Sequence, residues 1–208
     1  MIYNEPEINA VFPVPVFKNE LGRSLSDKEI SAFNFFSKSI TDNKGNKTSV
    51  DNYVLEHDDL QDLKSDFQHQ INYFVKKIII PKTDVELYIT QSWLNYTKAG
   101  QHHHLHSHPN SVLSGVFYIN AVSDKITFHR KDHDYIIEFE TDNYELFNSR
   151  SWFFEVKTND IFLFPSTLQH NVETIDDKRK DVRISLSFNT FFKGHIGDNK
   201  KLTELKLK

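Results

Sequence analysis

The apolar residues of this chain change their spacing near position 85. Before it, Leu60, Leu63, Phe67, Ile71, Phe74 and Ile78 recur at steps of three and four, one face of an amphipathic helix. From Val85 onward the apolar positions step by two, in short segments rich in β-branched and aromatic residues. A helical stripe has to cover something, most simply a sheet built from these later segments. Ser26-Asp27-Lys28-Glu29 has capping-box spacing and predicts an earlier helix running to about Ser39. Strands are expected at 86–96, 103–108, 111–119, 125–128, 135–140, 153–156, 160–164, 171–173 and 182–189. Many short strands after two helices predict a mostly β fold with flanking α, an antiparallel sandwich or barrel.

The remaining segments carry weaker signals. Val11 to Phe17 reads as an extended edge segment, because Pro13 and Pro15 cannot donate to a ladder. The polar stretch 41–52 reads as a loop, and the Lys-rich tail from Gly194 to Lys208 as a segment that frays. A length of 208 residues suits one domain, 1–208, with a helical part at about 20–80 and a β core at about 85–192. The net charge of −4, with basic residues scattered rather than striped, gives no strong nucleic-acid signal. No cysteine is present, which excludes disulfides, iron–sulfur clusters and thiolate zinc sites. The start of the chain, with Glu5 and Glu7, does not read as a signal peptide. The apolar run Ile78-Ile79-Ile80 is too short to cross a bilayer. The expected setting is therefore cytoplasmic, with no membrane partner.

Chemistry concentrates in Gln101-His102-His103-His104-Leu105-His106-Ser107-His108-Pro109, where five of the eleven histidines fall within seven residues. On a regular strand His102, His104, His106 and His108 would share one face, and His103, Leu105 and Ser107 the other. Neutral imidazoles so placed can ligate one transition metal ion. His104 with His106 has the same spacing as His106 with His108, so spacing alone leaves the ligating pair open. Two later segments belong beside this run. One is Phe164-Pro165 with His170. The other is Val182 to Asn189, whose alternation puts Val182, Ile184, Leu186 and Phe188 on one face and Arg183, Ser185 and Ser187 on the other. A guanidinium directed inward needs an internal carboxylate, such as Glu173 or Glu86, or a bound anion. Arg183 with Ser185 would dock a small dicarboxylate, the fork and the hydroxyl donating together. Adjacent antiparallel strands would bring His170 and Arg183 into one cavity. Trp93, Asn95 and Tyr118 either line that pocket or belong to the core.

The motif order His106-Ser107-His108-Pro109, Ser114-Gly115-Val116-Phe117-Tyr118, Phe164-Pro165 with His170, and Arg183 to Asn189 resembles the phage and bacterial branch of iron(II)/2-oxoglutarate-dependent oxygenases. Ser92-Trp93-Leu94-Asn95-Tyr96 and Val11 to Phe17 add to the likeness, which spans nearly the whole chain. The resemblance implies a double-stranded β-helix (jelly-roll, cupin-like) core with two N-terminal helices. It implies Fe(II), 2-oxoglutarate as co-substrate and O2. By position, His106, His108 and His170 would be the metal ligands, with His104 a neighbouring or alternative one. His102 and His103 would be surface or supporting residues. Arg183 would bind the far carboxylate of 2-oxoglutarate with Ser185 as companion, and Asn95 and Tyr118 would be further polar contacts. The sequence departs from the better-known His-x-Asp and His-x-Glu members in carrying His108 where they have a carboxylate. Three neutral imidazoles leave such a site one unit more positive, and three-histidine sets also suit catalytic zinc.

The reaction so implied is hydroxylation of an unidentified small-molecule or macromolecular substrate, with succinate and CO2 as co-products. Two other readings stay open on the residues alone. One is a three-histidine metal centre that does not use 2-oxoglutarate, like a thiol dioxygenase or a zinc hydrolase. The other is a non-catalytic cupin-like metal-binding module. Loops 41–52 and 132–151 are candidates for selecting substrate. An edge strand could pair across a two-fold to give a homodimer, and a phage-encoded copy would act in the host cytoplasm.

Overall fold

Helix α1 (Asp27–Phe36) begins where the capping box puts it: the Glu29 N–H donates to Ser26 Oγ, and the Ser26 N–H donates to the Glu29 carboxylate. Glu29 is itself buried under Arg23, which also reaches Asp66 on helix α2 (Gln61–Phe74) and so ties the two helices together. A π-helical turn at Val75–Ile79 extends α2 and ends at Ile80 in the left-handed region. The computed structural model describes residues 6–130 and 140–208.

The strands form two antiparallel sheets. In chain order they are β1 (Phe17–Glu20), β2 (Ile40–Asp42), β3 (Lys47–Ser49), β4 (Glu86–Thr97), β5 (His103–His106), β6 (Leu113–Asn120), β7 (Asp124–His129), β8 (Ser151–Val156), β9 (Asp160–Pro165), β10 (Gln169–Val172), β11 (Arg183–Ile196) and β12 (Leu205–Leu207). The larger sheet has the order β1-β9-β6-β11-β4-β3-β2, with β12 joined to the far end of β11. The smaller has the order β5-β10-β7-β8.

The larger sheet has two apolar contacts, one on each face. On its outer face the buried stripe of α2 (Leu63, Phe67, Ile71, Phe74) packs as its period requires. Phe67 lies 5.2 Å from the Phe117 ring and stacks on Phe188 at 5.3 Å. Gly115 sits opposite Phe188 in the β6–β11 register, and a Cβ there would run into the Phe188 ring. On the inner face Val116, Tyr118, Phe162 and Phe164 meet Ile126, Phe128 and Val156 of the smaller sheet. Burying one such phenylalanine contributes about 1.5–3 kcal/mol.

Several expectations are corrected. Residues 41–52 contain the hairpin β2–β3, added to the large sheet through β3 and β4. Its strands are short and polar, so no alternation marks them. The ladder near the N-terminus begins only at Phe17, because the prolines before it have no N–H to give. The tail does not fray: β11 continues to Ile196, and β12 pairs with it from Gly194 to Ile196. A contact of 2.7 Å between His195 and Glu204 holds that return. Strand β5 stops at His106 rather than His108, leaving His108 on the loop before Pro109. The strand expected at 135–140 falls on 131–139, outside the described residues, apart from Glu140, which is not in a strand. Among the described residues, no helix is long and apolar enough to cross a membrane.

Candidate metal centre

Three imidazoles meet at the open end of the smaller sheet. His106 closes β5 and pairs with His170 in β10. His108 follows on the loop, where its backbone N–H donates to the Ser166 carbonyl at 2.9 Å. His106, His108 and His170 can each place one ring nitrogen within 4.8 Å of the other two. The Nε2 atoms of His108 and His170 are 3.3 Å apart.

Backbone carbonyls fix two of the tautomers. His106 Nδ1 lies 2.8 Å from the His104 carbonyl and His170 Nδ1 lies 3.0 Å from that of Leu168. A carbonyl only accepts, so both Nδ1 atoms carry the proton and both Nε2 atoms present a bare lone pair. Neighbouring rings hold the set: Phe164 lies 4.6 Å from His170, and Trp93 lies 5.6 Å from His108. Burial, aided by the other imidazoles, pushes His108 down to about 4 and His170 down to about 3. His106 is lowered too, again chiefly by burial. All three are neutral near pH 7, as metal ligation requires.

The opposite wall is the inner face of the large sheet. In the register of three neighbouring strands Ser185 stands opposite both Asn95 of β4 and Tyr118 of β6. Arg183 lies two residues along, opposite Thr97, and is 3% exposed. Neither Glu86 nor Glu173 meets it: Glu86 pairs with Lys193, and among the described residues no carboxylate forms an ion pair with Arg183. Its guanidinium instead lies 5.0 Å from the centre of the Tyr118 ring. Burial raises the Tyr118 phenol, which stays a neutral O–H donor. Among the described residues Arg183 Nε, Tyr118 Oη and Asn95 Oδ1 are all buried without a hydrogen-bond partner. Asn95 Nδ2 lies 3.0 Å from Ser187 Oγ. A half-turn of the Asn95 amide, exchanging N and O, would turn the orphan acceptor into a donor.

One narrow cavity, with a volume of about 30 Å³, is lined by the three histidines, Arg183, Ser185, Asn95, Tyr118 and Trp93. Among the described residues no aspartate or glutamate lines it. The structure thus brings the named residues together with one exception, His104, which does not line the cavity. Its place is taken by His103. Between the pairs His170↔His106 and Val172↔His103 one strand advances by two residues and the other by three, which is a β-bulge. The expected common face of His102, His104, His106 and His108 is therefore broken, and His103 stacks on His106 at 4.7 Å. His103 is half-buried and lines the cavity, and no residue type in the run announces the bulge. Asn171, held at 2.7 Å by His129 Nε2, also lines the cavity and was not singled out in the sequence. His170 and Arg183 are on facing sheets rather than adjacent strands; they meet across the cavity.

Comparison with known proteins places this cavity. Residues 91–189 match the sequence model of a family described as "Putative 2OG-Fe(II) oxygenase", and every cavity residue named above lies inside that span. The fold is similar to that of an oxidoreductase of the 2OG-Fe(II) oxygenase family from Burkholderia pseudomallei, with 13% identity, a TM-score of 0.53 and coverage of 79% of this chain and 78% of that one. It is also similar to HygX from Streptomyces hygroscopicus, solved with nickel, 2-oxoglutarate and hygromycin B, with 10% identity, a TM-score of 0.57 and coverage of 85% and 82%. No curated protein matches the sequence. The architecture is a double-stranded β-helix, or jelly roll, with flanking helices. The family match spans just under half of the chain, and it supports an oxidoreductase whose cofactors are Fe(II), 2-oxoglutarate and O2.

Proposed function

We propose that the protein is an Fe(II)/2-oxoglutarate-dependent dioxygenase that hydroxylates a C–H bond of its substrate, releasing succinate and CO2. The observation that carries this reading is the buried Arg183, unmatched by any carboxylate ion pair among the described residues, facing three neutral imidazoles across one cavity. An unpaired buried guanidinium is costly to keep, and a dicarboxylate co-substrate supplies the missing partner. The orphaned Tyr118 hydroxyl beside it fits the same anion, and so does Asn95 once its amide is turned to present Nδ2.

In this reading His106, His108 and His170 hold the metal through Nε2, and the carbonyls of His104 and Leu168 keep two of those nitrogens deprotonated and aimed. Iron with 2-oxoglutarate and O2 supplies the oxidising power for C–H hydroxylation. Arg183 donates to the far carboxylate of the co-substrate, with the Ser185 hydroxyl and the Tyr118 phenol as further donors. Among the described residues no acid lines the cavity, so a dianion entering it compensates the charge of Arg183. Trp93, Phe164 and Val116 wall the cavity and limit water around the reacting groups.

The test is an anaerobic titration of metal-free protein with Fe(II), then 2-oxoglutarate, read as a visible metal-to-ligand charge-transfer band. The band should saturate in the wild type, vanish in His170→Ala and weaken strongly in Arg183→Ala. Tight Fe(II) binding with no band would instead establish a three-histidine centre that does not use 2-oxoglutarate.

A further inference from the structure

His106 belongs to two clusters. Besides its grouping with His108 and His170, it forms a second trio with His103 and His104, again with one nitrogen from each ring within 4.8 Å of the others. The β5 bulge builds this second group, because it turns His103 to the side of His106. The His104 ring centre lies 5.3 Å from that of His103 and 4.8 Å from that of His106. His104 Nδ1 is buried with no hydrogen-bond partner among the described residues, a state that a bound metal ion relieves. His103 lines the inner cavity and also an open surface groove that it shares with His102, His104 and Glu173. With Asn171 and Val172 it lines both spaces, and it is the one imidazole among the three.

We infer that His103, His104 and His106 form a second position for a divalent transition metal ion, at the outer lip of the His106–His108–His170 centre. Imidazole-only sets accept zinc, nickel, copper and iron. His106 has a single free nitrogen, because its Nδ1–H is committed to the His104 carbonyl. A nitrogen lone pair binds one ion, so the two positions compete for His106 and cannot both be complete. An ion arriving along the groove meets His103 and His104 first. It reaches the inner centre by exchanging those two ligands for His108 and His170 about the shared His106.

This inference rests on the inner trio being the metal centre, and the two can fail separately. Zn(II), which is redox-inert, is titrated calorimetrically into the metal-free full chain. The His108→Ala/His170→Ala variant, which disables the inner trio, should still bind one Zn(II) per chain. Adding His104→Ala should weaken that binding at least tenfold, and adding His102→Ala instead should change it less than twofold. Either no saturable Zn(II) binding in the double variant or no effect of His104→Ala overturns the second position. Equal losses from His102→Ala and His104→Ala overturn it as well, since they would mean diffuse binding along the histidine run. Should the double variant not fold, as judged by circular dichroism, the same two additions are made to His108→Ala alone, where the changed residue lies on a loop. The iron and 2-oxoglutarate band of the wild type reports the inner centre independently.

Discussion

The two faces of strand β11 show how one stretch of sequence serves two ends. On the outer face Leu186 and Phe188 are fully buried, and Phe188 stacks on Phe67 of α2. On the inner face Arg183, Ser185 and Ser187 line a cavity that holds unpartnered polar atoms. The outer face is satisfied by the chain itself. The inner face is left in deficit, with a buried cation and orphan donors that only a ligand can meet. Alternation lets the strand do both, because a mutation on one face leaves the other face's neighbours in place.

That contrast can be broken first on the outer side. Phe188→Ala should cost about 3–5 kcal/mol of stability, by urea denaturation, as a large ring leaves a cavity the sheet cannot close. Zn(II) affinity of the folded fraction should stay within a few-fold of wild type; a collapse in affinity would mean that the faces are not independent. On the inner side, Arg183→Met should lower 2-oxoglutarate affinity about a hundredfold, roughly 2.7 kcal/mol. The same change should leave the ligand-free protein as stable or more so, since it removes a buried charge with no carboxylate facing it. Loss of both affinity and stability would show that Arg183 has a structural partner.

Acid sharpens the comparison. His108 and His170 titrate at about 4 and about 3 in the folded protein, against an ordinary value near 6.5. The unfolded chain therefore binds more protons below that value, so stability is complete above about pH 6.5 and falls as the pH drops towards the folded values. Each histidine should contribute a slope of about 1.4 kcal/mol per pH unit in that window. Denaturation midpoints of metal-free wild type and His170→Ala between pH 7 and pH 5 measure it, and the variant should lose less. The smallest effect is expected from Ser185→Ala. One hydroxyl donor fewer should weaken 2-oxoglutarate by about 0.5–1.5 kcal/mol, roughly two- to thirteenfold, with little change in melting temperature.

Much of this could be read before any fold was known. The three- and four-residue steps of α2 and the two-residue alternation of β11 are direct projections of backbone geometry, and both landed on the faces expected of them. Ser26 and Glu29 were equally legible, since a capping box is local. The hairpin β2–β3 was not, because it is polar on both faces and owes its place to pairing with β4. The strap formed by β12 was missed for a similar reason: its partner lies in β11, and an alternation of three residues, Leu205-Lys206-Leu207, is too short to stand out.

Residue types alone determined that this chain holds a histidine-rich metal chemistry, an inward arginine and two amphipathic helices over a β core. They did so because periodicity and ligand chemistry are properties of neighbours along the chain. Tertiary structure decided which histidines converge. A single bulge exchanges His103 for His104 at the cavity, and the facing of two sheets sets Arg183 opposite His170. Both depend on register between strands far apart in sequence, and a shift of one residue there turns every side chain to the other face.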